Sequence, residues 1–292
     1  MKFIRYRHGG TVALGLLTAD GQGVLPLGPL LGRDLVTMEQ LFVTLQPQEL
    51  PVLRQAMESG AGAIPLEQAE LLAPIPRPLH DILCVGVNYK DHREETKADL
   101  PAQTGPSHAV YFGKRAIRLL GTGEVVESRF DLDEQLDYEV ELAVIIGKQG
   151  RDIPPEQAED YIFGYSVFND LSSRRLQKQH AQWFRGKSLD TYAALGPCIL
   201  HKSALPFPVE TDVISRVNGQ ERQHSNTRLF LTDLPTILSE LSAGMTLEPG
   251  DIIATGTPGG VGMGFQPPRF LQKGDVVECE IPPIGVLRIG IG

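Results

Sequence analysis

The chain has 292 residues, 41% of them hydrophobic and 22% charged, the make-up of a globular protein with one large domain or a large and a small one. Acidic residues outnumber basic ones by 36 to 27, and the net charge of −9 argues against nucleic-acid or anionic-membrane partners, which bind through basic side chains. No apolar run approaches the roughly 18 residues of a membrane span, and the N-terminus lacks an apolar stretch of signal-peptide length. A cytoplasmic location is expected. Cys84, Cys198 and Cys279 are too few and scattered for a disulfide framework, so three reduced, buried thiols are expected.

From the N-terminus, Thr11 to Leu17 and Val24 to Leu27 flank the turn signal Asp20-Gly21 and read as a hairpin. Residues 37 to 59 read as helical. Ala73-Pro74-Ile75-Pro76-Arg77-Pro78 holds the chain extended, because three prolines prevent a helix. It marks a boundary between a small N-terminal α/β unit (1–75) and a main domain (76–292). Beyond it, strands are expected at 82–87, 140–146, 161–168, 251–255 and 276–281. A helix is expected over 233–243, where Leu234, Ile237, Leu238 and Leu241 share a face, and another over about 171–183. With 31 glycines and 22 prolines supplying turns, the fold class is α+β and strand-dominated, without the regular alternation of a doubly wound sheet.

Asp137-Tyr138-Glu139-Val140-Glu141-Leu142 opens the second of these strands. Alternate strand residues share a face, so Glu139 and Glu141 point the same way. Two like charges at the mouth of a buried strand need a cation, a shared proton or solvent. Asp170 ends the next strand. Three carboxylates without a nearby Cys or His describe a hard-cation site, suited to Mg²⁺ or Mn²⁺, with Ca²⁺ also fitting and Zn²⁺ less so. Asp170, Arg174 and Gln177 follow helical spacing, and Arg174 suits a bidentate grip on a substrate carboxylate.

Lys187-Ser188 resembles the end of a phosphate-binding loop, but Ala181 stands where that loop needs glycine, and a helix precedes it. Nucleotide binding is therefore rejected. Gly256 to Gly262 forms a glycine-rich loop that lets backbone approach a ligand. In a helical turn His92 and Glu95 face each other, and Glu95 could orient the imidazole as a general base. Gly105-Pro106 would close this polar stretch as a lid over the site.

These segments, in this order over residues 80 to 290, resemble the fumarylacetoacetate hydrolase family. The carriers are Gly86-Val87-Asn88-Tyr89 with His92 and Glu95, the 137–142 segment, Asn169-Asp170-Leu171-Ser172, Gly186-Lys187-Ser188, Asn218-Gly219 and Gly256-Thr257-Pro258. The resemblance implies a mixed β-sandwich roll, usually a homodimer, with Mg²⁺ or Mn²⁺ on Glu139, Glu141 and Asp170. It also implies a water-activating His92–Glu95 pair, Lys187 beside an oxyanion, and Arg174, Gln177 and Thr257 on a small 2-oxo carboxylate substrate. The expected reaction is hydrolytic C–C cleavage of an acylpyruvate-like 2,4-dioxo acid through a metal-bound enolate. The alternative is decarboxylation, isomerisation or dehydration of a small 2-oxo acid such as oxaloacetate at the same site.

Overall fold

A computed structural model describes residues 1–96 and 108–292. Gly105-Pro106, the expected lid closure, lies outside the described residues. Strands dominate, as composition required. The largest sheet runs, from one edge, Ile64–Pro65, Gly23–Pro26, Thr11–Leu17, Lys2–His8, Ala193–His201, Ile162–Asp170, Val140–Ile146, Ile252–Ala254, Ile82–Gly86 and Val110–Lys114, with Glu70–Leu72 paired beside Lys2–His8. A five-stranded sheet contains Gln220–Asn226, Asp212–Val217, Val276–Ile281, Gly285–Ile291 and Val125–Val126. Most pairings are antiparallel, but Ile252–Ala254 and Ile82–Gly86 run parallel. Residues 1–75 share the large sheet with the rest of the chain, because Lys2–His8 pairs with Ala193–His201.

The strand Val140–Ile146 is buried along its whole length, so its alternation sorts residues between two apolar layers. Val140, Leu142 and Val144 join the layer that holds Val277, Cys279, Leu287 and Ile289 of the smaller sheet. Ala143 and Ile145 join the layer that holds Leu41, Phe42 and Leu53 of two N-terminal helices. The large sheet is thus a wall with a sheet on one side and helices on the other. All three cysteines are buried and free. No helix among the described residues is long and apolar enough to cross a membrane.

Two elements differ from expectation. The helical stretch 37–59 divides into Met38–Thr44 and Leu50–Ser59, separated by a turn that begins at Pro47. The helix expected from about 171 starts only at Arg174, runs to Gln179 and is followed by a short helix Phe184–Lys187. Ser172 and Ser173 are held extended against Asp137 and Leu136. The carboxylate of Asp133 sets the delayed start: its Oδ2 accepts from Ser173 Oγ at 2.5 Å and from the amide of Arg175 at 2.8 Å. Asp170 therefore belongs to a strand and shares no helical face with Arg174.

Candidate active site

Register builds the acidic cluster. Val140 sits opposite Asn169, and Asp170 N donates to Glu139 O at 2.9 Å, so both carboxylates arrive at the same end of adjacent strands. Glu141 enters from the same strand two residues on. Carboxylate oxygens of Glu139, Glu141 and Asp170 all lie within 4.8 Å of one another. All three residues are buried.

Three cations surround them. Lys187 Nζ lies 2.7 Å from Glu139 Oε2 and 2.7 Å from Asp170 Oδ2. Lys114 Nζ lies 2.6 Å from Asp170 Oδ1 and donates to the carbonyls of Leu171 and Lys187. Arg174 Nη2 lies 2.6 Å from Glu139 Oε1, and its Nε donates to Asp137 Oδ2 at 2.9 Å. Among the described residues, the cluster of Asp137, Glu139, Glu141 and Asp170 thus holds three cations in direct ion pairs, Lys114, Arg174 and Lys187, one fewer than its acids.

The deficit falls on Glu141. Its hydrogen bond comes from Gly256 N at 2.8 Å, and among the described residues no cation lies in ion-pair contact with it. Burial, then the charges of Asp170 and Glu139, push its carboxyl well above the usual carboxylate range. Burial would raise Glu139 as well, but Lys187, Arg174 and His92 outweigh it and hold that carboxyl low. Asp170 Oδ1, although ion-paired, accepts no well-aligned hydrogen bond. A buried carboxylate without an ion-pair partner beside an all-oxygen donor set fits a hard divalent cation.

His92 and Glu95 lie on the helix Lys90–Glu95, and His92 Nδ1 meets Glu95 Oε1 at 2.8 Å. Glu95 Oε2 accepts from Gly260 N at 3.0 Å. With Nδ1 committed to a carboxylate, Nε2 is the imidazole nitrogen left to exchange a proton. A single cavity is lined by His92, Glu139, Glu141, Arg174, Gln177, Thr257 and Lys187, walled by Val87, Phe112 and Trp183.

Seven of the nine side chains singled out in the sequence therefore line one cavity, with Asp170 behind Lys187 and Glu95 behind His92. Their spare hydrogen-bonding capacity differs. Of the five N–H donors of Arg174, one on Nε bonds Asp137 and one on Nη1 bonds Gln177, while Nη2 meets Glu139 as an ion pair without an aligned hydrogen bond. Lys187 has one ammonium N–H beyond the two spent on carboxylates. The hydroxyl proton of Thr257 is already donated to Val140 O at 2.9 Å, and its oxygen accepts from Gln223 Nε2 at 2.7 Å. The Thr257 hydroxyl is therefore spent inside the fold, and the residue lines the cavity without a spare side-chain proton.

Sequence reasoning missed the supports. Asp137 accepts from Arg174, Tyr138 N, Gly262 N and Met263 N. Gln223 ties Val140 N and Ser215 to Thr257 and Pro258 O. Lys114 is fully buried against Asp170. Asp137 had a signal available, as a third acid in the segment that held Glu139 and Glu141.

Residues 81–291 match the fumarylacetoacetate (FAA) hydrolase C-terminal family. The chain belongs to the fumarylacetoacetate hydrolase family. Oxaloacetate tautomerase YisK of Bacillus subtilis is 46% identical over 237 residues, 80% of this chain and 77% of that protein. A fumarylacetoacetate hydrolase from psychrophilic Exiguobacterium antarcticum superposes with a TM-score of 0.84 at 40% identity, covering 100% of this chain and 99% of that one. A maleylpyruvate hydrolase from Sphingobium sp. SYK-6, solved with manganese(II) and pyruvate, superposes with a TM-score of 0.75 at 30% identity, covering 100% of this chain and 98% of that one. As a member of this family the protein is an enzyme, with the strand-dominated fold of its relatives.

Proposed function

We propose that this protein is a divalent-metal-dependent enzyme that interconverts the keto and enol forms of a small 2-oxo dicarboxylate of the oxaloacetate class. One observation carries the reading: three clustered buried carboxylates, one without an ion-pair partner among the described residues, stand at the same cavity as a histidine whose Nδ1 is fixed by a carboxylate. The identity with an oxaloacetate tautomerase over most of this chain supports it.

Glu139, Glu141 and Asp170 would hold the cation, Mg²⁺ or Mn²⁺. Bound there, it would supply Lewis-acid stabilisation of negative charge on a 2-oxo acid. The protein side chains do the rest. Arg174 turns its spare N–H groups toward a substrate carboxylate, with the Gln177 amide beside it. The remaining N–H of Lys187 faces developing oxyanion charge, with Thr257 lining the same cavity. His92 Nε2 takes the proton from carbon or returns it, and Glu95 stabilises the imidazolium so formed.

A second reading is hydrolysis of an acylpyruvate-like 2,4-dioxo acid, in which His92 Nε2 takes its proton from water. The likeness to a maleylpyruvate hydrolase solved with pyruvate favours it. Ultraviolet spectroscopy separates the two. With Mg²⁺ or Mn²⁺ present, tautomerisation accelerates decay of freshly dissolved enol-oxaloacetate and releases no pyruvate beyond that formed with the metal alone. Hydrolysis consumes acetylpyruvate and releases pyruvate and acetate in equal amounts. Neither reaction accelerating with either metal would reject both readings.

A further inference from the structure

Val87 has φ +58°. A β-branched side chain rarely adopts this left-handed conformation, because its Cβ crowds the backbone. The chain is fixed on either side of it. Gly86 pairs with Val110 on the neighbouring strand. Asn88 is clamped by its amide, which donates to Thr255 O at 2.8 Å and Thr232 O at 3.1 Å and accepts from Thr232 N at 2.8 Å. The framework forces the conformation on a residue that glycine or asparagine would fill with less strain.

Val87 also stands between two cavities. One is the candidate active site. The other, larger one lies beyond it, toward Asn88, Arg93, Phe230 and the start of the helix Leu234–Ser242. Among the described residues the two share only Gly86 and Val87. Gly86 has no side chain to place between them. The shared side chain is therefore that of Val87.

We infer that Val87 is the wall that sets the length of 2-oxo acid the site accepts, and that removing its side chain opens the active-site cavity into the second one. The inference rests on the proposed site and names which of its residues limits the substrate. The acid is held at the metal end by its 2-oxo carboxylate, and its tail runs toward Val87. Tails that stop short of the wall fit, and longer ones meet it.

Calorimetric titration of the full chain in Mg²⁺ tests this with pyruvate, 2-oxobutanoate, 2-oxohexanoate and 2-oxooctanoate. In the natural protein affinity ceases to rise, or falls, as the tail lengthens. In Val87→Gly, which suits the backbone angle, the length limit is lifted and affinity rises with tail length by at most about fourfold for each methylene, since the second cavity offers Val110, Phe230 and Leu231 among mostly polar side chains. Val87→Asn tolerates the same angle but keeps a side chain of similar bulk, so it retains the natural length limit and separates the wall from relief of strain. Val87→Ala shows the same trend as the glycine variant, in smaller measure. If pyruvate binds both proteins and Val87→Gly keeps the natural tail dependence, the wall is rejected while the site stands. If no 2-oxo acid binds either protein, the proposed site fails and the wall falls with it.

Discussion

Asp137 accepts a hydrogen bond from Arg174 Nε at 2.9 Å while its two oxygens also accept the amides of Gly262 and Met263, at 2.6 and 3.0 Å. One fully buried carboxylate thus ties the arginine that leans on Glu139 to the loop that holds Glu95. Burial opposes the charge on Arg174, but Glu139 and Asp137 outweigh it and keep the guanidinium more firmly protonated than usual.

Asp137→Asn removes that charge and leaves a buried guanidinium half-paired. Breaking one side of a buried ion pair costs about 3–5 kcal/mol, so thermal unfolding should shift well down. In the folded fraction KM for the 2-oxo acid should rise by about tenfold, equivalent to about 1.4 kcal/mol, with a smaller change in kcat. An unchanged melting temperature and KM would show that Arg174 is positioned without Asp137.

Metal and proton compete at Glu141. Its carboxyl is raised by burial and by Asp170 and Glu139, so ionising it costs folding stability. That stability is fully present below the ordinary glutamate range and is lost as pH rises through the raised folded value. Chelator-treated protein should therefore melt at progressively lower temperature as pH increases, and Glu141→Gln should flatten the dependence. Added Mg²⁺ or Mn²⁺ should restore stability by about 2.7 kcal/mol at a hundredfold excess over Kd, with proton release on binding. Activity should vanish on chelation and return with the metal.

His92→Asn tests the proton carrier. General acid–base catalysis contributes about 10²–10⁴-fold, so kcat should fall by that range while divalent-metal affinity measured by calorimetry stays unchanged. Equal kcat values would remove His92 from the chemistry.

Gly264→Ala reaches the same step indirectly. A Cβ at Gly264 would come within 2.2 Å of Glu95 Oε2, the far end of a side chain that can swing away. The fold should survive, but Glu95 leaves Gly260 N and with it the geometry that fixes His92. A lowered kcat with KM and melting temperature nearly unchanged is the expected signature, matched by Glu95→Gln. A Gly264→Ala enzyme with full kcat would show that the contact is incidental.

The sequence by itself determined the strand-dominated fold class, the acidic segment at the mouth of a buried strand, and the candidate residues on the cavity. The first two follow from local rules, since period-two alternation fixes which side chains share a face and turn residues fix where strands stop, while the roles of Lys187, Gln177 and Thr257 came from the family resemblance. The helix Leu234–Ser242 was legible by such local rules too, with Asp233 Oδ1 accepting from Thr236 N at 3.0 Å as its cap. Tertiary structure alone decided the rest. Asp133, 40 residues before Ser173, delays a helix that propensity would start earlier, because its oxygen satisfies amides the helix would otherwise leave open. Lys114 meets Asp170 only because two distant strand ends converge, and Val87 separates two cavities only because Asn88 is pinned to Thr232 and Thr255. Long-range register and charge compensation in a dry interior carry no local signature, so residues that support a site are hidden in a sequence that displays the site itself.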